Sequence, residues 1–147
     1  MSASGIVILH IEDDANDALL FQHACRKAGA AFDLRAAKDA DEAIAYLSGA
    51  TDFSDRQKYP LPQLILLDLK MPRVSGFDVL AWLRQEKAFK NLPVIVLTSS
   101  NHDSDIRRAY DLGANSYLVK PVGFDALVGM VKTIQGYWFD LNQPPRA

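Results

Sequence analysis

Polar residues with chemical capacity follow short apolar runs at four separate places in the chain. Glu12, Asp13 and Asp14 follow "IVILHI", Asp68 follows "LILL", Thr98, Ser99 and Ser100 follow "PVIVL", and Lys120 follows "SYLV". Several carboxylates brought together repel one another unless a cation compensates them. Mg²⁺ suits such a site, since it is hard, prefers oxygen, keeps several waters and needs only one or two carboxylates beside a phosphate. Asp13, Asp68 and the Lys70 backbone carbonyl, in the turn after Asp68, would supply a partial cage. The free oxygen of Asp68 is then available as a nucleophile toward phosphorus, a reaction that depends on positioning and charge neutralisation. Lys120 offers a second positive charge, and Thr98 a hydroxyl for a phosphoryl oxygen.

These residues need elements that deliver them to one place. The continuous apolar stretches "IVILHI" (6–11), "LILLD" (64–68) and "PVIVLTSS" (93–100) lack polar alternation, as strands buried on both faces do, and "FDLRAA" (32–37) and "SYLV" (116–119) complete five. Between them, "ANDALLFQHACRKAGA" carries Leu19, Leu20, His23 and Lys27 near helical spacing and stops at Gly29. "DADEAIAYLSG" opens on acids and stops at Gly49, and "GFDVLAWLRQEK" and "DSDIRRAYDLG" follow. "GFDALVGMVKTIQGYWF" closes the series, with Gly136 a weak point. Alternation of strand and helix predicts an α/β fold, a parallel sheet covered on both faces by right-handed crossovers. In such sheets ligands bind at the carboxyl ends of the strands, which is where the four polar groups fall.

The stretches "IEDDAND", "ILLDLKMPRVSGFDVL", "VIVLTSS" and "GANSYLVKPV" resemble the motifs of the receiver domain of two-component response regulators, over roughly residues 5–136. The resemblance implies a (βα)5 doubly wound sheet of order 2-1-3-4-5, flavodoxin-like and CheY-like. It implies that Asp68 is the phosphoacceptor of a phosphorelay, phosphorylated with Mg²⁺ from a phosphohistidine on a sensor histidine kinase. Glu12 and Asp13 would be the acidic pair, with Glu12 reaching the metal through water. Thr98 would be the switch hydroxyl, Tyr117 the switch aromatic, and Lys120 the family's lysine. Pro121 would follow a cis peptide. Lys70 and Ser100, two residues after Asp68 and Thr98, would influence access of water and hence phosphoryl lifetime. The outcome would be a population shift on the face of the fourth helix, fifth strand and fifth helix that changes affinity for a downstream protein or phosphotransfer partner.

Composition bounds the rest. The 147 residues fit one domain, with 49% hydrophobic and 23% charged residues, as in an ordinary globular chain. Lys and Arg total 16 against 18 acids, with no basic block, which argues against nucleic acid as a partner. No apolar run is long enough to cross a membrane, "MSASG" lacks the features of a signal peptide, and the lone Cys25 forms no internal disulfide, so a cytoplasmic location is expected. Cys25 reads as a small core filler, and His10, His23 and His102 share no metal spacing.

The expected layout is a flexible N-terminus at 1–4, a receiver domain at 5–136 and an aromatic, Pro-containing extension at 137–147 that either folds back on its own domain or contributes to a homodimer or partner interface, the second being the expectation. No separate output domain is expected, since only the closing helix and a short tail follow Lys120. The polar segment 50–62 reads as a long surface loop. This loop and the aromatic tail resemble the stand-alone receivers that accompany bacterial phytochromes, which implies a bacteriophytochrome as the kinase. The expected role is therefore a switch that catalyses only its own phosphorylation and dephosphorylation, not a turnover enzyme. Two rivals differ in class. An aspartyl-phosphate phosphohydrolase of the haloacid-dehalogenase kind needs a second acid two residues after the nucleophile, where this chain has Lys70. A non-phosphorylated scaffold would have no use for the intact Asp13, Asp68, Thr98 and Lys120 set.

Overall fold

Side-chain alternation along the strands divides the core in two. In the computed structural model, which describes residues 5–143, the strands β1 (Val7–Ile11), β2 (Asp33–Ala37), β3 (Leu64–Leu67), β4 (Val94–Thr98) and β5 (Ser116–Val119) form one sheet of order β2-β1-β3-β4-β5. Every pairing is parallel. Leu9, Ile11, Ile65, Leu67, Val94 and Val96 project to one face, and Ile8, Leu64, Leu66, Ile95 and Leu97 to the other, in keeping with the two-residue period of a strand. Each fully buried Leu or Ile contributes on the order of 2 kcal/mol relative to exposure, so both faces are anchored independently.

Five helices cover those faces. Helices α2 (Ala40–Ser48), α3 (Gly76–Gln85) and α4 (Asp103–Asp111) close the first cluster, and α1 (Ala15–Ala28) with α5 (Phe124–Gln135) the second. Asp14 caps α1 by accepting from the amides of Asn16 and Asp17, and Gly29 ends it in the left-handed region. The apolar look of Leu19 and Leu20 is misleading, since both are about half exposed and α1 buries Phe21, Ala24 and Cys25 instead. Burial pushes the Cys25 thiol up to about 12, which keeps it protonated and inert, as expected of a core filler.

Two segments are more structured than the sequence suggests. The 50–62 connection carries a 3-10 turn (Thr51–Phe53) and an aromatic cluster of Tyr46, Phe53 and Tyr59, with ring centroids 4.9–5.9 Å apart. Arg56 fastens it by donating to the carbonyls of Tyr46, Leu47 and Tyr59. At Gly136 the last helix passes from α to π geometry, which continues over Gly136–Leu141. Trp138 and Phe139 pack on the α1/α5 cluster, whereas Tyr137 and Leu141 are exposed. Residues 1–4, expected to be flexible, and 144–147 of the extension lie outside the described residues.

Candidate functional site

The four polar strand ends meet at one edge of the sheet. Asp68, one residue beyond β3, is buried, and its backbone amide donates to the Ile11 carbonyl, which fixes its height against β1. Gly76 holds it from below. A Cβ there would lie 2.2 Å from the Asp68 carbonyl oxygen and 2.7 Å from Leu69 Cα, so only glycine lets the start of α3 come this close. The Gly76 amide donates to the Leu69 carbonyl, and Ser75 and Asp78 form a capping box that begins α3 at this point.

Lys120 is the hub. Its Nζ lies 2.6 Å from Glu12, 2.8 Å from Asp17 and 3.3 Å from Asp68. Its backbone amide donates to the Thr98 carbonyl, which places the side chain over the ends of β4 and β5. Burial alone would lower its pKa, but the hydrogen bonds of Asp17 and Glu12 and the charge of Asp68 outweigh it, so Lys120 stays firmly protonated.

The acids divide according to their surroundings. Glu12 is pushed up to about 7, first by burial and then by Asp68, against the pull of Lys120. Asp68 moves the other way. Burial raises it, but the hydrogen bond from Glu12 and the charge of Lys120, helped by the Lys70 amide, hold it below the usual carboxylate range. Of this pair, Glu12 is therefore the carboxyl that takes up a proton first and Asp68 the one that holds its charge. The Lys70 amide donates to Asp68 Oδ1 at 3.2 Å.

Oxygen atoms of Glu12, Asp13 and Asp68 all lie within 4.8 Å of one another, with Asp13 facing solvent. The donor set fits a hard divalent cation that keeps water on its open side. Thr98 adds a further indication: it is fully buried and its Oγ1 has no hydrogen-bond partner. A buried donor without an acceptor costs about 1–3 kcal/mol, and such cost accumulates at functional sites. Ser100 and Tyr117 are joined instead to one another, the Tyr117 hydroxyl donating to the Ser100 carbonyl at 2.9 Å.

Sequence reasoning placed Glu12, Asp13, Asp68, Thr98 and Lys120 together, and the structure brings all five to this edge. It missed Asp17, the second-nearest partner of Lys120. The available signal was its position one turn beyond Asp13 at the start of α1, which returns it above the same strand end. It also expected a cis peptide before Pro121. Among the described residues every peptide is trans, so this expectation is corrected. Trans is the lower-energy form, and the change of direction after β5 is taken by Gly123, whose φ of 96° no branched residue would adopt readily. His10 is buried against Phe21 with a ring separation of 4.7 Å, and its Nε2 has no partner. Desolvation, reinforced by Lys120, lowers it to about 4. His23 and His102 are exposed.

A parallel sheet of order 2-1-3-4-5 with an acidic cluster and a lysine at its carboxyl edge defines the class of CheY-like signal-receiver domains. The family model of the response regulator receiver domain matches residues 8–132, and the chain belongs to that family. It is 34% identical to response regulator Rcp1 of Synechocystis sp. over 141 residues, which cover 96% of this chain and 94% of that one. The fold is similar to response regulator RPA3017 in red light signaling of R. palustris, with a TM-score of 0.90 and 33% identity over 97% of this chain and 99% of that one. It is also similar to the phosphorylated cyanobacterial phytochrome response regulator RcpA, with a TM-score of 0.87 and 32% identity over 97% and 99% of the two chains.

Proposed function

We propose that this chain is a single-domain response regulator whose Asp68 accepts a phosphoryl group from a phosphohistidine of a sensor histidine kinase. The observation that carries the reading is the juxtaposition, at one sheet edge, of an ionised buried Asp68, a Lys120 ammonium 3.3 Å from it and a buried Thr98 hydroxyl with no partner. An Asp68 oxygen attacks phosphorus, the bond from phosphorus to the kinase imidazole nitrogen breaks, and the ring nitrogen keeps the electron pair. Lys120 neutralises charge on the transferred group, and the Thr98 hydroxyl gains the acceptor it lacks. Asp13, Asp68 and the Lys70 carbonyl would hold Mg²⁺ directly, and Glu12 through water. When bound, the ion supplies the charge neutralisation that lets a dianionic phosphoryl group approach three carboxylates. One relative, Rcp1, has a solved Mn²⁺-bound form, which supports a divalent ion in this pocket.

Movement of Thr98 toward the phosphoryl group leaves space that Tyr117 fills once it releases the Ser100 carbonyl, and the face of α4, β5 and α5 changes its affinity for a downstream protein. The likeness to RcpA and RPA3017 supports a bacterial phytochrome as the kinase. Lys70 in place of a second acid disfavours the phosphohydrolase, and the unpaired Thr98 hydroxyl disfavours an inert scaffold. The test is incubation with Mg²⁺ and acetyl phosphate. An acid-stable, base-labile label is expected on the wild type and absent from Asp68→Asn; turnover of the donor without a retained label would point to a hydrolase.

The extension serves a homodimer in this reading, through the exposed Tyr137 and Leu141 rather than Trp138 and Phe139, which are packed inward. Sedimentation of Tyr137→Ser/Leu141→Ser at the concentration where the wild type is dimeric should give monomers. An unchanged dimer would remove this role.

A further inference from the structure

Lys70 is a second cation at the rim of the site, and its side chain is directed outward. Its amide is hydrogen-bonded to Asp68 Oδ1, so the side chain starts beside the acceptor carboxylate, yet its Nζ lies 3.2 Å from Asp105 Oδ2 in the first turn of α4. The same Asp105 oxygen accepts a 2.6 Å hydrogen bond from the Ser100 hydroxyl. Ser100 is itself held, since its carbonyl accepts from Tyr117 and its hydroxyl oxygen from the His102 amide. Asp105 is thus fixed by the β4–α4 turn, and Lys70, more than half exposed, comes to it. The Ser100 hydrogen bond and then Lys70 keep the Asp105 carboxyl ionised below its ordinary range.

We propose that Asp105 is a positioning residue that holds the Lys70 ammonium away from Asp68, in direct competition with an incoming phosphoryl group. This rests on the receiver reading of Asp68. A lysine stem of four methylenes rooted at Lys70 can swing to either anion, and which anion it faces depends on their relative charge. In the resting protein Asp105 wins because the Ser100 hydroxyl fixes its carboxylate in place. A dianionic donor or product at Asp68 draws Lys70 back, and Asp105 keeps only Ser100. The pair therefore sets how strongly the open site attracts phosphate dianions, while the chemical step stays with Asp68, Thr98 and Lys120.

The test is the rate of labelling by acetyl phosphate with Mg²⁺ at low salt, measured against donor concentration for wild type, Asp105→Asn, Lys70→Met and the double variant. Freeing one ammonium near a dianion should lower the half-saturating donor concentration about threefold at unchanged limiting rate, an effect that salt screens. In the Lys70→Met background, Asp105→Asn should have less than half that effect, because no mobile cation is released. Equal effects in the two backgrounds, or a change in limiting rate alone, would overturn the inference while leaving the receiver reading in place. Failure of the wild type to label at all would remove both.

Discussion

Two partly buried cations occupy opposite edges of the same sheet. Arg84, in the last turn of α3, donates to the carbonyls of Gly113, Phe89 and Leu92 and to the Asn115 side-chain oxygen, where β4 and β5 begin. Lys120, where β5 ends, faces three carboxylates, with an unpaired hydroxyl on the neighbouring strand. Arg84 has as many neutral acceptors as its fork can use and fixes the entry loops. Lys120 sits among more negative charge than one ammonium can balance, and that surplus becomes balanced only when a further cation joins it, which an incoming phosphoryl dianion requires all the more. A satisfied cation marks structure, and an over-subscribed one marks a site that awaits a ligand.

The contrast can be broken most forcefully by exchanging each cation for methionine. Arg84→Met leaves the Gly113 and Leu92 carbonyls without a donor, while Phe89 and Asn115 keep the Leu92 and Val94 amides, and it should cost about 3 kcal/mol by urea unfolding, with the folded fraction still labelled at Asp68. Lys120→Met should instead slow labelling by roughly 100-fold, with a smaller change in stability. Equal losses of stability without a selective loss of labelling would erase the distinction.

A smaller effect separates buried groups at the site edge by the sign of their pH dependence. His10 has a folded value of about 4 against 6.5 when unfolded, so its contribution is present above 6.5 and is lost as pH falls toward 4. Glu12, raised from 4.5 to about 7, favours folding below 4.5 and loses that contribution as pH rises through 7. Between pH 7 and 5 the two nearly cancel in metal-free protein. His10→Leu should uncover stability that rises by about 2 kcal/mol on acidification, and Glu12→Gln stability that falls by a similar amount. Parallel profiles for the two variants would contradict the assignments. The smallest effect is expected at Thr98. Thr98→Val keeps the shape and removes the unpaired hydroxyl, so it should stabilise the resting protein by about 1 kcal/mol while shortening the life of the phosphorylated form. A destabilised variant would mean that the hydroxyl has a structural partner.

The edge that holds the site was legible in the sequence because a parallel strand buried on both faces is uniformly apolar, and its first polar residue announces where it emerges. That logic located Asp68, Thr98 and Lys120 and fixed the sheet order through the resemblance. It gave no purchase on contacts between distant elements that carry no periodic signature. Asp17, Asp105 and Arg84 look like ordinary helix-surface charges in their own segments, and only the tertiary fold turns them toward Lys120, Lys70 and the loop carbonyls. The 50–62 segment misled for a related reason, since its polar composition conceals two aromatics, Phe53 and Tyr59, that find Tyr46 of α2, and an arginine that finds the end of the same helix.

The central claim, that Asp68 is the group at this edge that becomes phosphorylated, is tested most directly by trapping the acyl phosphate. After treatment with Mg²⁺ and acetyl phosphate, borohydride reduces an aspartyl phosphate to homoserine at the residue that carried it. Peptide mass spectrometry should find homoserine at position 68 and at no other aspartate, and none without the donor. Homoserine at Asp13 or Asp17, or its absence from a protein that has consumed the donor, would contradict the account.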